Sequence, residues 1–204
     1  TKYYADDYIQ ELLAQKPDYI QDNNFINNLY AEMKKDPNPR KTLTAVLMSD
    51  IHLDYDQLIT ELEPFGEFGR ETSQPTLEAC LQYIKEDIQP DFLFWTGDNS
   101  RSNTWNNELE EVIFYTRNLS DSIKHFGIDQ IATVYPIEGN HDVFPVNVED
   151  YSQAGMNEAI NGFKDTWEDW MSPEEFAVFE QYGYYSKPLL GINGETYNTK
   201  VIAM

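Results

Sequence analysis

Apolar positions fall in short blocks along the chain, and the period within the blocks changes from one to the next. Leu43–Met48, Phe92–Trp95 and Ile131–Ile137 are near-continuous apolar runs of strand length. Between them the spacing becomes three and four. Leu77, Cys80, Leu81, Ile84 and Ile88 predict a helix over Thr76–Ile88, ended by Pro90, after a loop that carries Pro64, Gly66 and Gly69. Leu109, Val112, Ile113, Leu119 and Ile123 predict a longer helix, closed by His125-Phe126-Gly127. Strand, helix, strand, helix, strand is the order of a layered α/β domain. Further on, Ile160, Phe163, Trp167 and Trp170 predict a helix from Met156 to about Trp170. Ser172-Pro173-Glu174-Glu175 is a capping signature for a short helix that stops at Gly183. Tyr184 and Tyr185 open strand-like sequence, Gly191–Gly194 reads as a turn, and Lys200–Met204 as a last strand.

Ahead of the first strand the pattern is weaker. Tyr8, Ile9, Leu12 and Leu13, then Phe25, Ile26, Leu29 and Tyr30, predict two short amphipathic helices. Lys34-Lys35-Asp36-Pro37-Asn38-Pro39-Arg40 is rich in helix breakers. Residues 1–40 are therefore expected to form a helical arm and linker, and 41–204 the domain proper.

Composition narrows the picture. The 204 residues are 41% hydrophobic and 14% aromatic, which suits one domain with a sizeable core and excludes a disordered chain. The net charge of −22 repels nucleic-acid backbones and anionic membrane surfaces and concentrates cations. No apolar run reaches the ~18–20 residues of a membrane span. The chain starts at Thr1 with no visible leader, as expected of a processed or partly observed product. Cys80 is the only cysteine, so no disulfide can form within the sequence. It is expected to be a small buried hydrophobe, or to pair with a cysteine outside the chain. Asn118-Leu119-Ser120 fits the N-glycosylation pattern. Trp95, Trp105, Trp167 and Trp170 are read as packing residues, and His125 as a structural residue at a helix end.

The chemistry lies where the three apolar runs stop. They lead into Ser49-Asp50-Ile51-His52, Thr96-Gly97-Asp98-Asn99 and Gly139-Asn140-His141-Asp142. Loops at the carboxyl ends of strands are where open α/β sheets bind ligands. Carboxylate, imidazole and amide are divalent-metal donors. Asp50 and His52, two apart, are predicted to face one cation. The Asp98 carboxylate could bridge two cations ~3.5–4 Å apart, and Asn140 offers an amide oxygen to the second. His141 is predicted to point elsewhere and to be free to protonate a leaving oxygen, with Asp142 orienting its imidazole. Each motif alone is also an ordinary turn former. All three in order, each after an apolar strand, favour a metal site.

Those blocks, with Asp54 after the Asp-x-His pair, Trp95 before Thr-Gly-Asp and Pro145-Val146-Asn147 downstream, resemble the signature of calcineurin-like metallophosphoesterases. Within that family the chain is most similar to the acid sphingomyelinase-like phosphodiesterases. Trp167-Glu168-Asp169-Trp170 and Gly183-Tyr184-Tyr185-Ser186 support the likeness. The resemblance implies a two-sheet β-sandwich flanked by helices. It implies two divalent metals, usually zinc, with Asp50 and His52 on one, Asp98 bridging, Asn140 on the other and His141 as proton donor. A metal-bound hydroxide would hydrolyse a phosphodiester or phosphoanhydride. A sphingomyelin-type lipid is the first substrate expected, in a secreted or endolysosomal protein. Endopolyphosphatase or nucleotide phosphodiesterase is the close alternative, since Gly97-Asp98-Asn99-Ser100-Arg101 also resembles polyphosphatase sequence.

There are departures. Family members commonly carry a histidine four residues after the bridging aspartate; here Ser102 stands there, beside Arg101, which is expected to bind a phosphate oxygen. The family completes its site with later histidines, and none follows His141. The 204 residues are thus expected to be the front part of a longer domain, with a C-terminal half or partner chain supplying the rest. The alternative of another class is a non-catalytic interaction protein that retains the fold with an incomplete site.

Overall fold

Strand β2, Phe92–Trp95, lies between two parallel neighbours, β1 (Ala45–Met48) and β3 (Thr133–Pro136). The register aligns Leu47 with Phe94 and Tyr135, and Leu93 with Val46 and Val134. Alternation then sorts the side chains onto two faces. The computed structural model describes residues 43–103, 107–152 and 155–204, all within the unit Leu43–Met204. The predicted N-terminal helices and linker, and Trp105, lie outside the described residues.

One sheet face carries Val46, Met48, Leu93, Trp95 and Val134, and packs in one core with helices α1 (Gln74–Tyr83) and α2 (Leu109–His125). Ser73 caps α1, its hydroxyl accepting from Thr76 N–H. Glu108 and Glu111 form a reciprocal capping box at the start of α2, and Lys124 and His125 sit in its last turn, where cations suit the dipole. Leu77, Leu81 and Ile84 are buried as predicted. Cys80 is not: it is exposed on α1, off the buried stripe that Leu77 and Leu81 define, and so is no core residue. The predicted helix to Ile88 changes character at Ile84–Ile88, which forms a π-type turn ending in Gln89 at φ 48°.

Trp95 is fully buried, its ring 5.6 Å from that of Trp167 and 6.2 Å from that of Trp170. The predicted helix over Met156–Trp170 is much shorter. Helix α3 covers Glu158–Phe163, and a 3-10 turn over Lys164–Thr166 follows. Two things end it. The Thr166 hydroxyl donates to the Phe163 carbonyl at 2.7 Å, and Trp167 N–H turns back to Lys164 O, an i→i−3 bond. Ile160, Phe163 and Trp167 are nevertheless all wholly buried, because a tightened turn keeps them on the same side.

Helix α4 (Pro173–Tyr182) has the predicted capping box of Ser172 and Glu175 and ends at Gly183, φ 71°. An antiparallel hairpin follows, β4 (Tyr185–Leu190) with β5 (Thr196–Ala203), its second strand starting four residues before Lys200. The hairpin lies on the other face of the parallel sheet. The Tyr185 hydroxyl donates to Pro136 O at 2.8 Å, Leu190 N–H donates to the Tyr135 hydroxyl at 2.8 Å, and the Phe92 and Tyr197 rings meet edge to face. The result is an α/β fold with helices on one side of a parallel sheet and an antiparallel ribbon on the other. No helix among the described residues is long and apolar enough to cross a membrane.

Candidate metal centre

All three ligand-bearing segments leave the carboxyl ends of neighbouring parallel strands, so the sheet itself brings them together. The pairing continues past the strands: Asp50 N–H donates to Gly97 O at 3.2 Å, His52 N–H to Asp98 O at 2.9 Å and Leu53 N–H to Asn99 O at 2.9 Å. Asp50, His52 and Asp98 all take positive φ, at 53°, 42° and 57°. Left-handed backbone is costly for such residues and persists only where the surroundings impose it, as functional sites commonly do.

The middle and last turns touch backbone to backbone. A Cβ on Gly97 would lie 2.0 Å from Gly139 N, and one on Gly139 would lie 2.2 Å from Asp98 Oδ1. Only glycine permits that approach. Asp142, wholly buried, holds the junction. Its Oδ2 accepts from Asp98 N–H at 2.7 Å and Gly139 N–H at 2.9 Å, and its Oδ1 accepts from Asn99 N–H at 2.8 Å. Burial pushes its pKa up to about 6 against the lowering effect of those three bonds. The predicted role of Asp142, orienting the His141 imidazole, does not hold: its oxygens are committed to main-chain N–H groups.

His52, Asp98 and His141 form a group whose donor atoms all lie within 4.8 Å of one another. His52 Nδ1 is 2.8 Å from Ser100 O. A carbonyl only accepts, so Nδ1 carries the proton and Nε2 presents its lone pair, 3.9 Å from Asp98 Oδ2. Asp98 Oδ1 accepts from His141 N–H at 3.0 Å. The His141 ring stands edge-on to that of His52, centroids 4.8 Å apart, and its Nδ1 is buried without a partner among the described residues. His141 therefore does not point elsewhere, as the sequence suggests; it sits with His52 and Asp98. Asp50 is outside the group, exposed, its carboxylate taking a hydrogen bond from the Ser49 hydroxyl. The same-face rule for positions two apart fails here because β1 ends at Met48 and both residues have left the extended conformation.

Asn140 is exposed and its side-chain N–H donates to Asn147 Oδ1 at 2.7 Å, which leaves the amide oxygen as the end available to a cation. Asp54 is buried, accepts from Asp56 N–H at 3.0 Å, and lines a cavity of about 480 Å³ with Arg70, Glu71, Arg101 and Ser102. Arg101 is held by Asp56 at 3.1 Å and by Glu111, so its guanidinium is already neutralised. Ser102 donates to Glu71. Asn118 is half-buried in the middle of α2, and Ser120 of the same triplet is wholly buried, its hydroxyl donating to Thr116 O. A glycan on Asn118 would have to be added before this helix packs.

Two supporting residues, named in the sequence reading only as parts of family-like motifs, have roles it does not give. Ser100 sets the His52 tautomer through its carbonyl and donates its hydroxyl to His141 O at 2.7 Å. Asn147, φ 62°, clasps Asn140 from both its side chain and its N–H. Both lie within seven residues of a motif, but serine and asparagine in loops carry no signal of their own.

Residues 43–202 match the calcineurin-like phosphoesterase family over a span that takes in every motif above. The chain belongs to this family of phosphoesterases. It is 29% identical over 163 residues to acid sphingomyelinase-like phosphodiesterase 3b of Mus musculus, covering 71% of this chain and 34% of that protein. It is 29% identical over 131 residues to sphingomyelin phosphodiesterase B of Dictyostelium discoideum, covering 61% and 20%. An endopolyphosphatase of Cryptococcus neoformans is 26% identical over 185 residues, covering 83% and 26%. The chain thus spans between about a fifth and about a third of the length of these relatives.

Proposed function

We propose that this chain supplies the cation-holding face of a metal-dependent phosphodiester hydrolase acting on a sphingomyelin-type or related phosphodiester. One observation carries the reading. His52 Nε2, the Asp98 carboxylate and the His141 ring converge within 4.8 Å, and His141 Nδ1 is buried with no partner among the described residues. A carboxylate beside an imidazole whose Nε2 lone pair is free suits a divalent cation, zinc before calcium or magnesium, and an unpartnered buried imidazole next to both suits a proton donor.

On this reading His52 would hold one cation, Asp98 would be shared between two, and Asn140 would face the second, while Asp50 stands outside the group. Such cations supply Lewis acidity toward a phosphoryl oxygen and toward water. The remaining work falls to the chain. The Ser100 carbonyl keeps the proton on His52 Nδ1, so Nε2 stays a donor to the cation. Asp142 and the glycine contact hold the Asp98 and His141 turns at fixed separation. His141 delivers a proton to the leaving oxygen. Further donors come from sequence beyond these residues or from a partner chain, and the protein works in a secreted or endolysosomal compartment.

A second reading, phosphoanhydride hydrolysis in a phosphate chain, is favoured by the endopolyphosphatase match, which covers 83% of this chain. The test is metal analysis with a panel of sphingomyelin, a chromogenic phosphodiester, a nucleotide and polyphosphate, on the full-length protein and its Asp98→Asn variant. Stoichiometric divalent metal, and turnover of a phosphodiester that Asp98→Asn abolishes without unfolding, supports the proposal. A full-length protein that holds no metal and turns over none of the panel overturns it and favours the non-catalytic interaction protein; near-normal turnover by the variant overturns the role given to Asp98.

A further inference from the structure

The segment between His52 and α1 makes a closed loop over Asp56–Glu71. Its two ends are tied together at the base: Asp54 N–H donates to Thr72 O at 2.8 Å and Thr72 N–H donates to His52 O at 3.1 Å, with Leu53 and Thr72 bridged in parallel. The base is therefore hydrogen-bonded directly to a residue of the candidate metal centre. The outer part is apolar and turned to solvent. Leu58 is 79% exposed, Leu62 94%, Phe65 61% and Phe68 102%. Four large apolar side chains so exposed on one short loop need an occupant.

From this geometry we infer that the loop is a docking element for a zwitterionic phospholipid surface, seated there to bring a lipid phosphodiester to the His52 side of the site. Three observations choose this occupant. The apolar groups project fully from the loop, as suits a surface that yields to them; a protein partner would need a pocket for each. The loop carries Asp56, Glu61, Glu63, Glu67 and Glu71 against Arg70, with Arg101 pairing Asp56 from outside it, so a negative excess remains. That charge disfavours an anionic surface and suits one whose outermost group is a quaternary ammonium. The loop is also continuous in sequence with His52 and hydrogen-bonded to its main chain at the base, so a surface it enters is tethered close along the chain to the cation group. The choice of lipid over a soluble phosphate chain rests on the phosphodiesterase reading above.

The test uses the full-length protein and a variant with Leu58→Ser, Leu62→Ser, Phe65→Ser and Phe68→Ser. Flotation with phosphatidylcholine–sphingomyelin vesicles, flotation with phosphatidylserine vesicles, hydrolysis of a soluble chromogenic phosphodiester and molar mass in solution are measured. The expected result is vesicle binding that falls at least about tenfold in the variant, weaker binding to phosphatidylserine, and unchanged turnover of the soluble ester. Single Phe68→Ser and Leu62→Ser variants, fully exposed positions, repeat the flotation should the fourfold variant fold poorly. Vesicle binding that survives the substitutions, or a preference for phosphatidylserine, overturns the inference. So does a dimer that the variant turns into a monomer with vesicle binding unaltered, which makes the loop a self-association surface. If the parent protein hydrolyses no phosphodiester, the enzyme reading fails, while flotation still decides the lipid inference.

Discussion

Replacing Asp142 should damage the fold before it damages any chemistry. The carboxylate is wholly buried and satisfies three main-chain N–H groups, from Asp98, Asn99 and Gly139. In Asp142→Asn one oxygen remains. Placed where Oδ2 is, it keeps the bonds to Asp98 and Gly139, and the new amide nitrogen meets Asn99 N–H donor to donor. One buried donor is then unsatisfied, at a cost of about 1–3 kcal/mol. Asp142→Ala strands all three, at a cost of roughly 3–6 kcal/mol when the relief of removing a buried charge is set against the loss. That is a large part of the ~5–15 kcal/mol by which domains are stable. Urea unfolding followed by circular dichroism reads the difference. With a slope of ~2 kcal/mol per molar urea, Asp142→Asn lowers the midpoint by roughly 0.5–1.5 M, and Asp142→Ala leaves little folded protein. The reasoning is refuted if Asp142→Asn unfolds at the parental midpoint and loses only turnover, for that is how a carboxylate that merely orients His141 would behave.

Other outcomes follow from the same geometry. Gly97→Ala puts a methyl group 2.0 Å from Gly139 N at a φ of 78°. It should cost at least about 2 kcal/mol and lower metal content, seen as a lower melting temperature and less bound metal. His141→Ala should reduce turnover far more than metal content; parallel loss of both would make His141 a ligand instead of a proton donor. Burial raises the pKa of Tyr55 and of Tyr115 to about 12. Above pH 10 the unfolded chain has then released protons that the folded chain keeps, so stability falls with rising pH. Urea midpoints measured from pH 9 to 11 should decline, and Tyr55→Phe should soften the decline.

Much of this fold is written in apolar spacing that a reader can follow. The three parallel strands fall inside the runs at Leu43–Met48, Phe92–Trp95 and Ile131–Ile137, and the Ser172 cap starts α4 where the capping box says it should. Convergence of the loops was equally legible, because parallel neighbours deliver their carboxyl ends to one edge. What sequence spacing cannot convey is the path after the strand. Asp50, His52 and Asp98 turn left-handed, and alternation no longer predicts direction once the backbone leaves the extended region. Hence Asp50 fell outside the group and His141 inside it. The long helix over Met156–Trp170 failed for a local reason, a threonine hydroxyl capturing a carbonyl, which periodicity does not register. Arg101 offered a free cation on paper, yet Asp56 and Glu111 reach it from distant positions.

The glycine contact between the second and third turns separates two properties that metal sites usually vary together. Where the donors stand is decided by main-chain atoms meeting at Gly97 and Gly139 and by a carboxylate, Asp142, whose oxygens accept from main-chain N–H groups. What the donors are is decided by His52 and Asp98. Descendants of this chain could exchange imidazole for thiolate or amide, and so retune which ion they favour, on an unchanged chassis.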